Sequence, residues 1–296
     1  MSKMKGIARS LLNHPEYQYL SLISRVLKTG IKQEGRNGNT ISLVGEKMSF
    51  DLTNNTIPLL TTKKLAWKTC LKELFWFISG STCNKILNEQ NVHIWDKNAS
   101  RSFLNSRELY HYMEDDLGPV YGHQWRHYNA KYFNSFTNYE NKGVDQLENV
   151  IKSLKDEKER SSRRIILNAW NPCQIDEMAL PPCHVLSQFI VKNNDLSCIL
   201  YQRSGDIGLG IPFNIASYSF LTHILAKHCG LNAKEFIHII GDAHIYEEHI
   251  NALEEQVKKK PKEFPKIEIL NSYKNIDDYS LKDIKIDNYK YHKKVH

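Results

Sequence analysis

Nowhere in the 296-residue sequence is there an apolar run approaching the ~20 residues needed to span a bilayer, so no membrane association is expected. A C-x-x-C pair is also missing. The six cysteines (Cys70, Cys83, Cys173, Cys183, Cys198 and Cys229) lie far apart with no His-x-x-x-His partner. That scatter argues against both a zinc site and a disulfide framework, and fits a reducing, cytoplasmic compartment with no bound metal. There is no repeat of fixed period and no low-complexity segment. Charge of one sign does not dominate: 40 Lys and Arg stand against 33 Asp and Glu, a net +7. This mild excess suits an anionic ligand but falls short of a dedicated nucleic-acid binder.

What remains is a chain of ordinary soluble composition, with 41% hydrophobic residues, long enough to bury a large core. The basic stretch 1–15 contains no acidic residue and reads as a flexible tail ahead of a single domain over 16–296. From Glu16 the apolar positions Leu20, Ile23, Val26 and Leu27 recur at helical spacing, with Gly30 where a helix ends. "ISLVGEKMSF" predicts a strand with a bulge or kink at Gly45, and "KKLAWKTCLKELFWFISG" a central helix that is apolar around much of its girth. The aperiodic stretches near 99–116 and 129–144 read as surface insertions. Asp145 is placed to cap a helix carrying Leu147, Val150, Ile151 and Leu154, and "RRIILNAW" reads as a strand. "HVLSQFIVK" and "LSCILYQRS" around "NND" predict a hairpin, and "NIASYSFLTHILAKHCG" predicts a long helix ending at Gly230. The expected fold is α+β, a large mixed β-sheet packed with helices.

The chemistry gathers around a few stretches. Cys183 in "MALPPCHVL" reads, by local sequence alone, first as a buried or incidental thiol, with a metal ligand or a nucleophile as the alternatives. "YQRSGDIGLGIPFNIASY" changes the balance: a strand-like segment delivers Arg203 and Ser204 into a glycine-bearing loop before Asn214, a pattern suited to phosphate, although "RSGD" is equally a surface turn. A guanidinium beside Cys183 would favour the thiolate and lower its pKa. Arg163 and Arg164, adjacent on an expected strand, point to opposite faces and would serve one site together most easily across a subunit interface. His244 and Tyr246, two residues apart, can face one side and hydrogen-bond a sugar hydroxyl. Glu73, inside an apolar helix, either lies on a solvated stripe or sits buried with a raised pKa, as a proton donor near neutrality.

Taken in order, "GRNGNT", "PLLTTKK", "ELFWF", "HIWDKN", "DLGPVYGHQWRHY", "SRRIILNAWNP", "MALPPCH", "YQRSGDIGLGIPFNIASY" and "GDAHIYEEH" make the chain resemble the thymidylate synthase family from about Tyr17 to Tyr289. The resemblance implies a homodimer, built face to face through its sheet. It also implies conversion of dUMP to dTMP with 5,10-methylenetetrahydrofolate as carbon donor and reductant, leaving dihydrofolate. Cys183 is then the nucleophile, since uracil C5 becomes reactive only after a thiolate adds at C6. Glu73, Tyr121, Asn214 and Arg203 complete the catalytic set. Substrate positions fall on Arg36, Arg163, Arg164, His184, Gln202, Arg203, Ser204, Asp206, Asn214, His244 and Tyr246, with Arg163 and Arg164 supplied by the neighbouring subunit. Asn214 can accept from uracil N3–H and donate to O4, which disfavours cytosine. Folate-facing positions fall on Trp95, Asn98, Asp206, Leu209 and Gly210.

Two departures stand out. The family's "R-T-G-T" turn is "R-N-G-N" here, and the chain ends "YKYHKKVH" where the family continues into an apolar closing tail. A site that closes poorly admits water. The alternatives are therefore a dUMP hydroxymethylase or a closure-impaired synthase and, from another class, weak RNA binding on the same scaffold, which the family resemblance and the mildly basic chain allow, although the lysines concentrated near the C-terminus read more simply as a solvated surface.

Overall fold

Glu16 is the least expected residue in the core of this protein. The computed structural model describes residues 14–34 and 38–293; residues 1–13 of the expected 1–15 tail and the candidate phosphate ligand Arg36 lie outside the described residues, while His14, the next residue of that tail, packs its ring 4.5 Å from Phe264. Helix α1 (Tyr17–Thr29) forms where the spacing predicts and buries Tyr19, Leu20, Leu22, Ile23 and Val26. Glu16, just ahead of it, is 0% exposed. Its two oxygens accept from the backbone N–H and the hydroxyl of both Thr61 and Thr62, at 2.6–2.9 Å. Four donors replace the water that an ionised carboxylate gives up on burial. At the other end Gly30 is extended rather than left-handed; a Cβ there would lie 2.5 Å from both Val26 O and Ile41 Cγ2. The glycine is needed for close approach to the sheet.

That sheet contains β1 (Ile31–Gln33), β2 (Thr40–Asp51), β3 (Ile166–Asn168), β4 (His184–Lys192), β5 (Asp195–Asp206) and β6 (Asn232–Tyr246), in the order β1-β2-β6-β5-β4-β3. Pairing is antiparallel except between β5 and β6, which run parallel. Gly45 adopts φ +74, yet the pairs on either side, Val44 with Asp242 and Glu46 with Ile240, keep one register. β2 is therefore kinked without an inserted residue. The β4–β5 hairpin turns on Asn193 and Asn194, at φ 51 and 64, a left-handed pair that asparagine tolerates better than other side chains. A separate two-stranded ribbon pairs β7 (Lys266–Ile269) with β8 (Ile284–Asp287).

Helices α2 (Trp67–Ile78), α3 (Tyr121–His127), α4 (Gln146–Lys155), α5 (Gly210–Cys229) and α6 (Ile250–Val257) pack around this frame, with short turns of helix between α2 and α3. The result is the expected α+β fold. Asp145 caps α4 by accepting from Glu148 N at 2.9 Å, and Gly230 ends α5 in the left-handed region at φ 68. The helix buried around most of its circumference is α5, whereas α2 keeps a partly exposed side. α5 also starts four residues before the expected Asn214, because Pro212 is tolerated in a first turn. The stretches 99–116 and 129–144 bury Leu104, Leu109 and Tyr112, and Ala130, Tyr132 and Tyr139, respectively. Tyr132 and Tyr139 stack at 5.6 Å, and Tyr132 donates to buried Asp116 at 2.6 Å. These contacts join the two stretches to the core without any regular period. No helix among the described residues is long and apolar enough to cross a membrane.

Removing the Glu16 carboxylate would orphan four donors in a dry site. Glu16→Ala is expected to lower unfolding free energy by roughly 3–6 kcal/mol, measured by chemical denaturation; a loss under about 1 kcal/mol would mean that water satisfies the threonines.

Candidate active site

The proline pair before Cys183 has a direct structural use. Pro181 and Pro182 contribute carbonyls without competing N–H groups, and both carbonyls accept from Arg203: Nη2 to Pro181 O at 3.1 Å and Nε to Pro182 O at 2.8 Å. The Cys183 carbonyl accepts from Arg203 N at 2.9 Å. Arg203 Nη2 then stands 3.8 Å from Cys183 Sγ, and its guanidinium lies 5.6 Å over the Trp170 ring. The thiol does not follow the expectation of a lowered pKa. Burial pushes it above the ordinary thiol value, and Arg203 offsets only part of that. The guanidinium spends N–H donors on the proline carbonyls, while the surrounding protein strips water from the sulfur.

Tyr121, in the first turn of α3, meets the same loop. Its hydroxyl oxygen accepts from Cys183 N at 2.7 Å and His184 N at 3.4 Å, leaving its own proton uncommitted by those bonds. Burial holds this phenol far above its usual range, so it stays protonated. Phe77 and Trp95 pack on its ring at 4.8 and 6.2 Å. Trp95 also donates from Nε1 to Glu73 Oε1 at 2.7 Å. Burial pushes the Glu73 carboxyl up to about 7, with the Trp95 bond pulling the other way. Glu73 is half-buried, and a carboxyl balanced between its two forms near neutrality can take up or release a proton there.

Asn214, on α5, places Nδ2 2.7 Å from His184 Nε2. Burial lowers His184 to about 4, so the ring is neutral. Gln202 lies opposite His184 in the ladder, and its Nε2 donates to Ser204 O at 2.9 Å. β5 runs on to Asp206, so Arg203 and Ser204 belong to a strand and not to the expected glycine loop. The loop proper is Ile207 to Leu209. Asp206 Oδ1 accepts from Gly208 N at 2.7 Å, Leu209 is 60% exposed, and Gly210 opens α5. His244 and Tyr246 stand together at the end of β6, ring centroids 5.3 Å apart, on the side of the sheet that the alternation predicts. Asn98 is half-buried three residues after Trp95.

Arg163 and Arg164 are not brought to Cys183 within one chain. The expected strand shrinks to Ile166–Asn168, and both arginines occupy an exposed turn ahead of it, where Arg163 O accepts from Gln188 Nε2 at 2.7 Å. Strand alternation therefore does not govern their direction. Sequence reasoning also passed over three neighbours of the site. Asp242 accepts from His244 Nδ1 at 2.9 Å, Lys63 donates to Gly208 O, and His249 Nδ1 lies 3.8 Å from Asp206 Oδ1. Burial brings Lys63 down to about 8, against the pull of Asp206. Only the alternation of Asp242 with His244 offered a signal in the sequence.

A family model for thymidylate synthase matches residues 17–296. A bifunctional dihydrofolate reductase-thymidylate synthase of Zea mays is 51% identical over 283 residues, covering 95% of this chain and 54% of the relative. Proteins of the same description from Plasmodium berghei and Leishmania major are 49% and 48% identical, covering 96% and 94% of this chain and 48% and 54% of their own lengths. The chain thus spans about half the length of these relatives.

The Glu73 value has a consequence for stability. A carboxyl raised from 4.5 to about 7 on folding favours the folded state most below pH 4.5, and that contribution is lost as pH rises to about 7. The buried histidines act in the opposite direction, so the difference between two proteins is the clean measure. Glu73→Gln is expected to gain stability relative to the parent between pH 4.5 and 7. Parallel melting curves across that window would count against a raised carboxyl.

Proposed function

Because the chain belongs to the thymidylate synthase family, we propose that it converts dUMP to dTMP by reductive methylation, using 5,10-methylenetetrahydrofolate and releasing dihydrofolate. The observation that carries this reading is the convergence, at one end of the sheet, of Cys183 with Arg203, Tyr121 with the Cys183 backbone, and Asn214 with His184. Cys183 Sγ adds to uracil C6, and the resulting enolate makes C5 a nucleophile. Arg203, 3.8 Å from the sulfur, favours the thiolate that attacks, against the opposing effect of burial. Tyr121 is a neutral hydroxyl near the reacting ring, able to assist proton transfer at C5. Glu73, balanced near neutrality, passes protons toward the pyrimidine carbonyl. Asn214 reads N3 and O4, with the neutral His184 holding its amide.

Ser204 and Arg203, with Arg36, form the phosphate end, and His244 and Tyr246 bind the deoxyribose hydroxyl. Asp242 fixes the His244 ring through Nδ1, leaving Nε2 for the sugar. Trp95, Asn98, Asp206, Leu209 and Gly210 would hold the folate, which when bound supplies both the one-carbon unit and the hydride. Leu209, 60% exposed and three residues after Asp206, offers an apolar surface on the same loop as a carboxylate acceptor, which suits a flat heterocycle bearing N–H donors.

The enzyme acts as a homodimer joined through the sheet. Leu186, Ile199, Tyr201, Ile237 and Ile239 share the sheet face away from α5, adjacent in register, with Tyr201 40% exposed. Such a face is costly to leave in water, and a second copy of the same face would cover it. Arg163 and Arg164, exposed at the β3 edge, would then reach the partner's phosphate site.

Incubation with dUMP and methylenetetrahydrofolate is expected to give dTMP and dihydrofolate in equal amounts, identified by mass. Cys183→Ser is expected to abolish turnover while retaining dUMP binding. A hydroxymethyl product, or full turnover by Cys183→Ser, would overturn the reading. Tyr201→Asp is expected to yield monomers with at least tenfold lower activity, assayed by sedimentation and turnover; active monomers would refute the shared site.

A further inference from the structure

Resting on the function proposed above, we propose that His238 is a positioning residue which decides the edge of Gln202 that faces the nucleotide. His238 lies in β6, 0% exposed, with the Phe236 ring 5.5 Å away. Its Nδ1 has no hydrogen-bond partner among the described residues, and its Nε2 stands 2.8 Å from Gln202 Oε1. A neutral imidazole carries one N–H. Burial, with His184 nearby, lowers His238 to about 3, so the ring is neutral at physiological pH. With the proton on Nδ1, that N–H would be buried unpaired and the Nε2 lone pair would oppose the Gln202 oxygen. The proton therefore belongs on Nε2, donating to Oε1.

That single donor fixes the Gln202 amide. Gln202 is buried, and its Nε2 donates to Ser204 O at 2.9 Å. Flipping the amide would set N–H against N–H at His238 and oxygen against oxygen at Ser204, losing both bonds at once. A Cβ on Gly205 would lie 3.2 Å from Gln202 Nε2, so the missing side chain leaves this nitrogen its room. Gln202 is thus held with its carbonyl drawn back into the sheet and its remaining N–H free for a ligand acceptor. Since Gln202 pairs with His184, the residue after Cys183, that N–H belongs to the nucleotide end of the sheet. His238 selects a pyrimidine carbonyl oxygen as the group Gln202 meets, though it touches no substrate itself.

The test combines a tautomer measurement with a mutant cycle. Nitrogen-15 NMR of the ring is expected to find His238 protonated at Nε2; an Nδ1–H tautomer overturns the assignment without any variant. His238→Leu is expected to weaken dUMP binding roughly tenfold or more in equilibrium dialysis, and to raise KM for dUMP more than it lowers kcat. His238→Gln, whose amide nitrogen restores a donor near the same point, should stay within about threefold. In a Gln202→Leu background His238→Leu should add less than about twofold; an undiminished effect there would mean a general structural role. If the parent protein bound no dUMP, the proposed function would fail, while the tautomer result would still judge the geometry.

Discussion

The parallel pairing of β5 with β6 is the constraint from which the rest of the site follows. In an otherwise antiparallel sheet it requires a crossover, and the 20-residue α5 supplies most of one, returning the chain along much of the strand. The pairing brings two strand ends to the same edge in register, Ser204 beside Asp242 and Asp206 beside His244. β4, antiparallel to β5, begins where β5 ends, so Cys183 and His184 arrive at that edge as well. Three segments separated by tens of residues thereby contribute to one cleft. The start of α5 adds Asn214 from above.

Burial then sets the ionisation of that edge. Cys183 and Glu73 are pushed up, and His184 and His238 down, so each is shifted toward its uncharged form. The cause is the same throughout: charge loses more by leaving water than these groups recover from their neighbours. Arg203 is the cation in contact with the sulfur. Neutral donors and acceptors in fixed orientation suit an uncharged heterocycle, since they need little reorganisation when negative charge develops on it.

A second set of buried polar contacts couples the ends of the chain to the cleft. Glu16 holds Thr61 and Thr62, and Thr61 O accepts from His292 N at 2.7 Å. Tyr289 binds the same turn, donating to Leu60 O and accepting from Leu65 N, both at 2.8 Å. The next residue, Lys63, reaches Gly208 O, while Tyr19 donates to Ile207 O at 2.9 Å. The loop before α5 is therefore held by side chains from α1 and from the 61–63 turn. Disturbing Glu16 would be transmitted to both the loop and the C-terminal segment.

Where a structural choice depends on neighbours in sequence, the chain's own letters were enough. The helical spacing of Leu20, Ile23 and Val26, the cap at Asp145, the left-handed Asn193 and Asn194, and the terminal Gly230 all act within a few residues, and each element formed as expected. The motif order likewise identified the family and nominated Cys183, Asn214, His244 and Tyr246. Only the tertiary structure decided that Arg163 and Arg164 leave the strand for a turn, that Glu16 is buried, and that His238 grips Gln202. It also decided the direction of the Cys183 shift, where an adjacent arginine suggested the opposite. Desolvation is the sum over everything packed around a group, and residues distant in sequence supply most of it, so no local pattern can report its size or sign.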